Sequence, residues 1–118
     1  MPRILVLDDE PLISALIGDW LNELHCEMIG PAVSVQSALD LIDSTSLDGA
    51  IIDVSLRGEE SYAVADALRK RGVPFAFTTG YDRSGVAVRF ADALILPKPF
   101  SFNEVEAAIG KFHESGQN

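Results

Sequence analysis

Short runs that are apolar at every position, separated by segments of helical spacing, constrain this chain more than any other feature. Four runs have strand length: Ile4–Leu7, Ala50–Ile52, Phe75–Phe77 and Ala93–Leu96, with a weaker fifth at Cys26–Gly30. A strand with one wet face alternates apolar and polar residues. These runs do not alternate, which predicts strands covered on both faces, as in a parallel sheet with helices on each side. Between the runs the spacing changes. Leu12, Leu16, Trp20 and Leu24 recur every four residues beside Ile13, Ile17 and Leu21. Val35, Ala38, Leu39 and Ile42 form a second helical pattern, and Ala65 and Leu68 belong to a third. The last helix carries Phe102, Val105, Ile109 and Phe112, and Ser101 with Glu104 three residues later is a capping box at its start.

The reading is five βα units. Right-handed crossovers leave few topologies for five such units. The expected fold is α/β, flavodoxin-like (βα)5: a doubly wound five-stranded parallel sheet of order 2-1-3-4-5 with helices on both faces. The fourth helix should span Asp82–Ala91. Gly85 and the β-branched Val86 and Val88 are poor helix formers, so this helix is expected to be short or mobile.

The bulk numbers narrow the class. With 118 residues the chain suffices for one compact domain, read here as a single domain over 1–118 with only Glu114–Asn118 frayed. The net charge of −9, with nine Lys and Arg, argues against a nucleic-acid partner, because such affinity comes mostly from basic side chains. No basic-flanked leader is visible at the N-terminus, and no apolar run approaches the ~20 residues that cross a bilayer. No membrane partner is expected, and the predicted location is the cytoplasm. Cys26, the lone cysteine, is read as a buried thiol.

Chemistry follows the strand ends. In a parallel sheet all C-terminal ends share one rim, and open α/β sheets place their sites in the crevice along it. The first run ends in Asp8, Asp9 and Glu10, the third in Asp53, the fourth in Thr78 and Thr79, and the last in Lys98 and Pro99. At ~4 Å and an effective dielectric near 20, each close pair of acids costs on the order of 4 kcal/mol. Either these groups face water or a cation sits among them. Asp8, Asp9 and Asp53 suit a small hard divalent ion, for which Mg2+ is the usual occupant. A metal, the Lys98 ammonium and a hydroxyl donor together suit a tetrahedral anion. Asp53, alone at the end of a central strand, is the best candidate for a nucleophile that receives a phosphoryl group.

With those residues in place the chain resembles a family, the receiver domain of two-component response regulators. The matching stretches are "LDDE" (Leu7–Glu10), "IIDVSL" (Ile51–Leu56), "TTG" (Thr78–Gly80) and "PKPF" (Pro97–Phe100), in order and at family spacing. The resemblance implies that Asp53 accepts a phosphoryl group from a sensor histidine kinase. It implies Asp9 as a direct Mg2+ ligand, Asp8 as one acting largely through water, and the backbone carbonyl of Ser55 as another. Thr79 matches the hydroxyl that closes on the phosphoryl group. Lys98 matches the family lysine, followed by a cis bond to Pro99. Narrower still, "PFAFTTGYD" (Pro74–Asp82) is similar to the PFxFATGY stretch of the FATGUY single-domain receivers of alphaproteobacteria, with Thr78 in place of alanine. The inward-moving aromatic of ordinary receivers is replaced by Ile95, which makes Tyr81 a candidate to carry part of the switch.

The first functional expectation is therefore a stand-alone receiver, not an enzyme beyond its own phosphotransfer and slow dephosphorylation. After Ile109 too little of these 118 residues remains for a DNA-binding module. Its output would pass by conformational change and protein contact, or by shuttling phosphate, with a histidine phosphotransfer protein or a downstream protein as partner. The alternative is a Mg2+-dependent phosphohydrolase with an aspartyl-phosphate intermediate. Such an enzyme would want an acid two residues after the nucleophile, where Val54-Ser55 stand. A flavodoxin-like cofactor binder would need a hydroxyl- and glycine-rich loop after the first strand, where "DDEPL" stands.

Overall fold

The structure is a computed structural model and describes residues 1–80 and 86–116. In chain order the elements are β1 (Arg3–Leu7), α1 (Pro11–Glu23), β2 (Glu27–Ala32), α2 (Val35–Ser44), β3 (Gly49–Asp53), β4 (Ser55–Leu56), β5 (Glu59–Glu60), α3 (Tyr62–Lys70), β6 (Phe75–Thr79), β7 (Leu94–Pro97) and α4 (Phe102–Gly116). Five strands form one parallel sheet in the order β2-β1-β3-β6-β7. Counted within that sheet, this is the expected 2-1-3-4-5.

The absence of alternation has its cause in the two packed faces. Leu5, Leu7, Ala50, Ile52 and Phe77 pack with Ala38 and Ile42 of α2 and Val64, Ala65 and Leu68 of α3. Their sequence neighbours Ile4, Val6, Ile51, Ala76 and Leu96 pack with Ile17 and Leu21 of α1 and Val105, Ala108 and Phe112 of α4. Each face buries large aliphatic side chains, worth roughly 1.5–3 kcal/mol apiece on full burial. At Gly49 the Phe112 ring lies so close that a Cβ would sit 2.5 Å from its Cδ2. The capping box forms as expected: Ser101 N–H donates to Glu104 Oε1 at 3.0 Å, and Glu104 N–H donates to Ser101 Oγ at 3.3 Å. Cys26 is buried, its thiol directed at the Leu24 carbonyl at 3.7 Å, and burial raises its pKa.

Three features go beyond the sequence reading. The four-residue series on α1 is not its buried stripe: Leu12 is 85% and Leu16 41% exposed, while Ile17 and Leu21 are buried. A spacing of four overshoots a 3.6-residue turn by about 40° each step, so the series drifts off the core side. The chain between β3 and α3 holds an antiparallel hairpin, β4 with β5, that the sequence reading did not foresee. Its two-residue turn uses Gly58 at φ +78°, a conformation a side chain disfavours. The expected fourth helix falls partly on residues 81–85, outside the described residues. From Val86 to Ala91 the chain makes only one 3-10 turn, Val88–Phe90, consistent with the low helix propensity of Val86 and Val88.

Candidate functional site

The rim is built by backbone pairing that continues past each strand. Asp8 N–H donates to the Ala32 carbonyl at 3.0 Å, and the buried Ser14 hydroxyl reaches the Asp8 carbonyl at 3.4 Å. Val54 N–H donates to the Thr78 carbonyl at 3.0 Å, and Lys98 N–H to the Thr79 carbonyl at 2.8 Å. The Ser61 hydroxyl donates to the Asp53 carbonyl and lies 3.2 Å from that of Val54. These ties seat Asp8, Asp53 and Lys98 at one end of the sheet. The Lys98–Pro99 peptide bond is cis, as the resemblance implied.

Carboxylate oxygens of Asp8, Glu10 and Asp53 lie within 4.8 Å of one another. Lys98 Nζ stands among them, 3.0 Å from Asp53 Oδ2 and 3.6 Å from both Asp8 Oδ2 and Glu10 Oε1. Asp53 Oδ1 accepts from Ser55 N–H at 3.1 Å. Asp8 Oδ1 accepts from Glu10 N–H at 2.9 Å, while Asp8 Oδ2 is buried without a hydrogen bond. Burial raises the Asp8 pKa; the Glu10 N–H and the Lys98 charge oppose this, and Asp53 and Glu10 add to it. For Lys98, burial alone would lower the pKa. The hydrogen bond and charge of Asp53, with the charges of Asp8 and Glu10, outweigh it, and the pKa is raised.

Of the anticipated residues, Asp8, Asp53 and Lys98 meet as expected. Asp9 differs: its Oδ2 accepts from the backbone N–H of Arg57 at 3.0 Å and faces Arg57 Nε at 3.9 Å. The hairpin thus turns the Asp9 carboxylate aside, and Glu10 takes its place in the cluster. Thr79 is buried at the end of β6, and Ser55 lies exposed at the start of β4. Tyr81 lies outside the described residues. The sequence reading assigned no role to Ser61, Arg57 or the third acid, Glu10. Only Glu10, adjoining the aspartate pair, carried a visible signal.

A Mg2+ site is compatible with these residues. Three oxygen donors converge, and the unbonded Asp8 Oδ2 is a buried acceptor that a hard cation would satisfy. The donor set holds no thiolate or imidazole, so it does not favour a softer metal.

Comparison with known proteins decides the family. The model of the response regulator receiver domain matches residues 4–110. This chain belongs to that family. The receiver is 38% identical to SdrG from Sphingomonas melonis Fr1, whose solution structure superposes with a TM-score of 0.85 over 96% of this chain and 97% of that one. TrrA from Thermotoga maritima, crystallised with Mg2+-BeF, is 30% identical with a TM-score of 0.83 over 95% and 99%. LytT of Bacillus subtilis, a sensory transduction protein, is 33% identical over 95% of this chain and 48% of its own length. The receiver spans about half the length of the curated relatives it matches. Among the described residues no helix is long and apolar enough to cross a membrane.

Proposed function

We propose that this receiver accepts a phosphoryl group on Asp53 from the phosphohistidine of a sensor kinase, and that it acts as a stand-alone regulator. The observation that carries the reading is the Asp53 carboxylate, buried and central, bonded on one oxygen by Lys98 and on the other by Ser55 N–H. A carboxylate oxygen attacks phosphorus. The P–N bond to imidazole breaks, its electron pair returns to the histidine nitrogen, and Asp53 becomes an acyl phosphate. The Lys98 ammonium follows the negative charge from the carboxylate to the phosphoryl oxygens. The Thr79 hydroxyl, at the same rim, donates to one of those oxygens.

Asp8, Asp9, Asp53 and the Ser55 carbonyl would hold Mg2+, with Glu10 beside them. The ion, when bound, offsets charge on the equatorial oxygens. TrrA, solved with Mg2+-BeF and in a complex with the histidine kinase ThkA, supports both the metal and the kinase as partners here. The similarity to SdrG and the "PFAFTTGYD" stretch support the narrower placement among FATGUY receivers. Output then goes to a protein, either a histidine phosphotransfer protein or a downstream target.

The test is intact-mass analysis after exposure to an acyl-phosphate donor and Mg2+. One added phosphoryl group, absent from Asp53→Asn, is expected; equal labelling of the two forms removes Asp53 from the role. Phosphotransfer profiling against histidine kinases then identifies the donor.

A further inference from the structure

Two buried side-chain atoms among the described residues lack a hydrogen-bond partner, Asp8 Oδ2 and Thr78 Oγ1. The first faces Lys98 and belongs to the acid cluster. The second makes no hydrogen bond. Thr78 is 1% exposed, and a desolvated hydroxyl left unpaired destabilises the state that contains it. Valine would fill the same volume without the donor.

Its position suggests why a hydroxyl stands there. Thr78 pairs with Asp53 on one side and Leu96 on the other. Side chains two apart on a strand share a face. Thr78 therefore lies on the face of Ala76, and Asp53 on that of Ile51, both packed toward α1 and α4. With strands about 4.8 Å apart, Thr78 and Asp53 are lateral neighbours on one face. Lys98 starts just beyond β7 and reaches Asp53, the last residue of β3, while β6 runs between those strands. The lysine stem therefore passes over the end of β6, which carries Thr78.

We propose that the Thr78 hydroxyl is a positioning group reserved for the loaded state of Asp53. The proposal rests on the phosphoacceptor reading. In the unmodified chain, Asp53 Oδ1 and Oδ2 already have Ser55 N–H and Lys98 as donors, and the hydroxyl is left over. With Oδ1 bonded to phosphorus, Oδ2 becomes the acyl carbonyl oxygen, and it loses its donor once the phosphoryl group draws the ammonium away. A turn about χ1 brings the Thr78 O–H onto that oxygen. The hydroxyl keeps its proton, and no bond is made or broken beyond those of the transfer itself. One donor without a partner and one acceptor about to lose its own are thereby matched in the loaded state only.

The experiment compares wild type, Thr78→Val and Thr78→Ser, using beryllofluoride with Mg2+ as the phosphoryl mimic. We expect Thr78→Val to bind beryllofluoride about five- to tenfold more weakly, the size of one hydrogen bond. Its melting temperature without metal should equal or exceed that of wild type, and its affinity for Mg2+ alone should not change. Thr78→Ser should restore beryllofluoride binding. Equal beryllofluoride affinity in wild type and Thr78→Val overturns the proposal and leaves the phosphoacceptor reading intact. A lower metal-free melting temperature for Thr78→Val also overturns it, since the hydroxyl would then have a partner before loading. Wild type that takes up no beryllofluoride overturns both readings.

Discussion

Lys98 Nζ lies 3.0 Å from Asp53 Oδ2, although β7 and β3, which lead to these residues, are separated by β6. Together with the Lys98–Asp8 contact it ties the ends of β7, β3 and β1, and it concentrates the described site's ammonium against Asp8, Glu10 and Asp53. Losing that ammonium leaves acids facing one another.

Replacing Lys98 with Met should therefore destabilise the chain at neutral pH by about 1–2 kcal/mol, allowing for solvent on the lysine side. The pH dependence has a definite sign. A raised ammonium pKa contributes stability that is complete below the unfolded value, about 10.4, and is lost as pH rises through the higher folded value. Thermal melts across alkaline pH should show this loss in wild type and not in Lys98→Met.

Asp8 follows the same sign in an acidic window, although here the favoured form is the neutral one. Its pKa is raised above the ordinary 3.8 by burial, so the folded chain binds the proton more tightly and loses stability as pH rises through that window. Asp8→Asn removes the burdened charge. Without metal at pH 7 its melting temperature should exceed that of wild type by about 5 °C, the effect of roughly 1 kcal/mol in a domain of this size. Addition of Mg2+ should stabilise wild type and leave the variant nearly unmoved.

Metal binding should also be felt in the hairpin. If Asp9 turns to the ion, the Arg57 N–H loses its acceptor at 3.0 Å. Amide exchange at Arg57 should accelerate on Mg2+ addition, while exchange at Ile51 in the buried β3 strand should not. Unchanged protection at Arg57 would show that Asp9 keeps its hairpin contact throughout.

Ser61 supports the backbone beneath Asp53, and its hydroxyl is fully enclosed. Ser61→Ala should lower stability by about 1–3 kcal/mol, read as a lower denaturant midpoint with an unchanged slope.

Gly49→Ala is a control at the far end of the sheet. The new Cβ would meet the Phe112 ring, and the overpacking should cost about 1–3 kcal/mol. Mg2+ affinity should stay at the wild-type value.

Sheet topology was readable because uninterrupted apolar runs have few solutions, and strand ends follow from topology. Asp8, Asp53 and Lys98 were thus located by covalent position alone. Asp9 and Glu10 were not separable that way. They are adjacent, and which carboxylate turns inward depends on the Arg57 backbone N–H, a donor that every non-proline residue carries. Ser61 was hidden for a similar reason: its importance arises from a carbonyl eight positions earlier in sequence, brought near by the hairpin. Leu12 and Leu16 belong to the helix as read, yet lie off its buried stripe because strict four-residue spacing rotates away from one face.

The single tryptophan has a consequence of its own. Trp20 meets Phe100 and Phe102 edge to face, with centroids 6.2 Å away in both cases, and Phe100 follows Lys98 by only two residues. Indole emission is sensitive to such neighbours, so the chain carries an intrinsic optical reporter next to its lysine. Stopped-flow fluorescence of the unlabelled protein could time the lysine's departure from Asp53 directly.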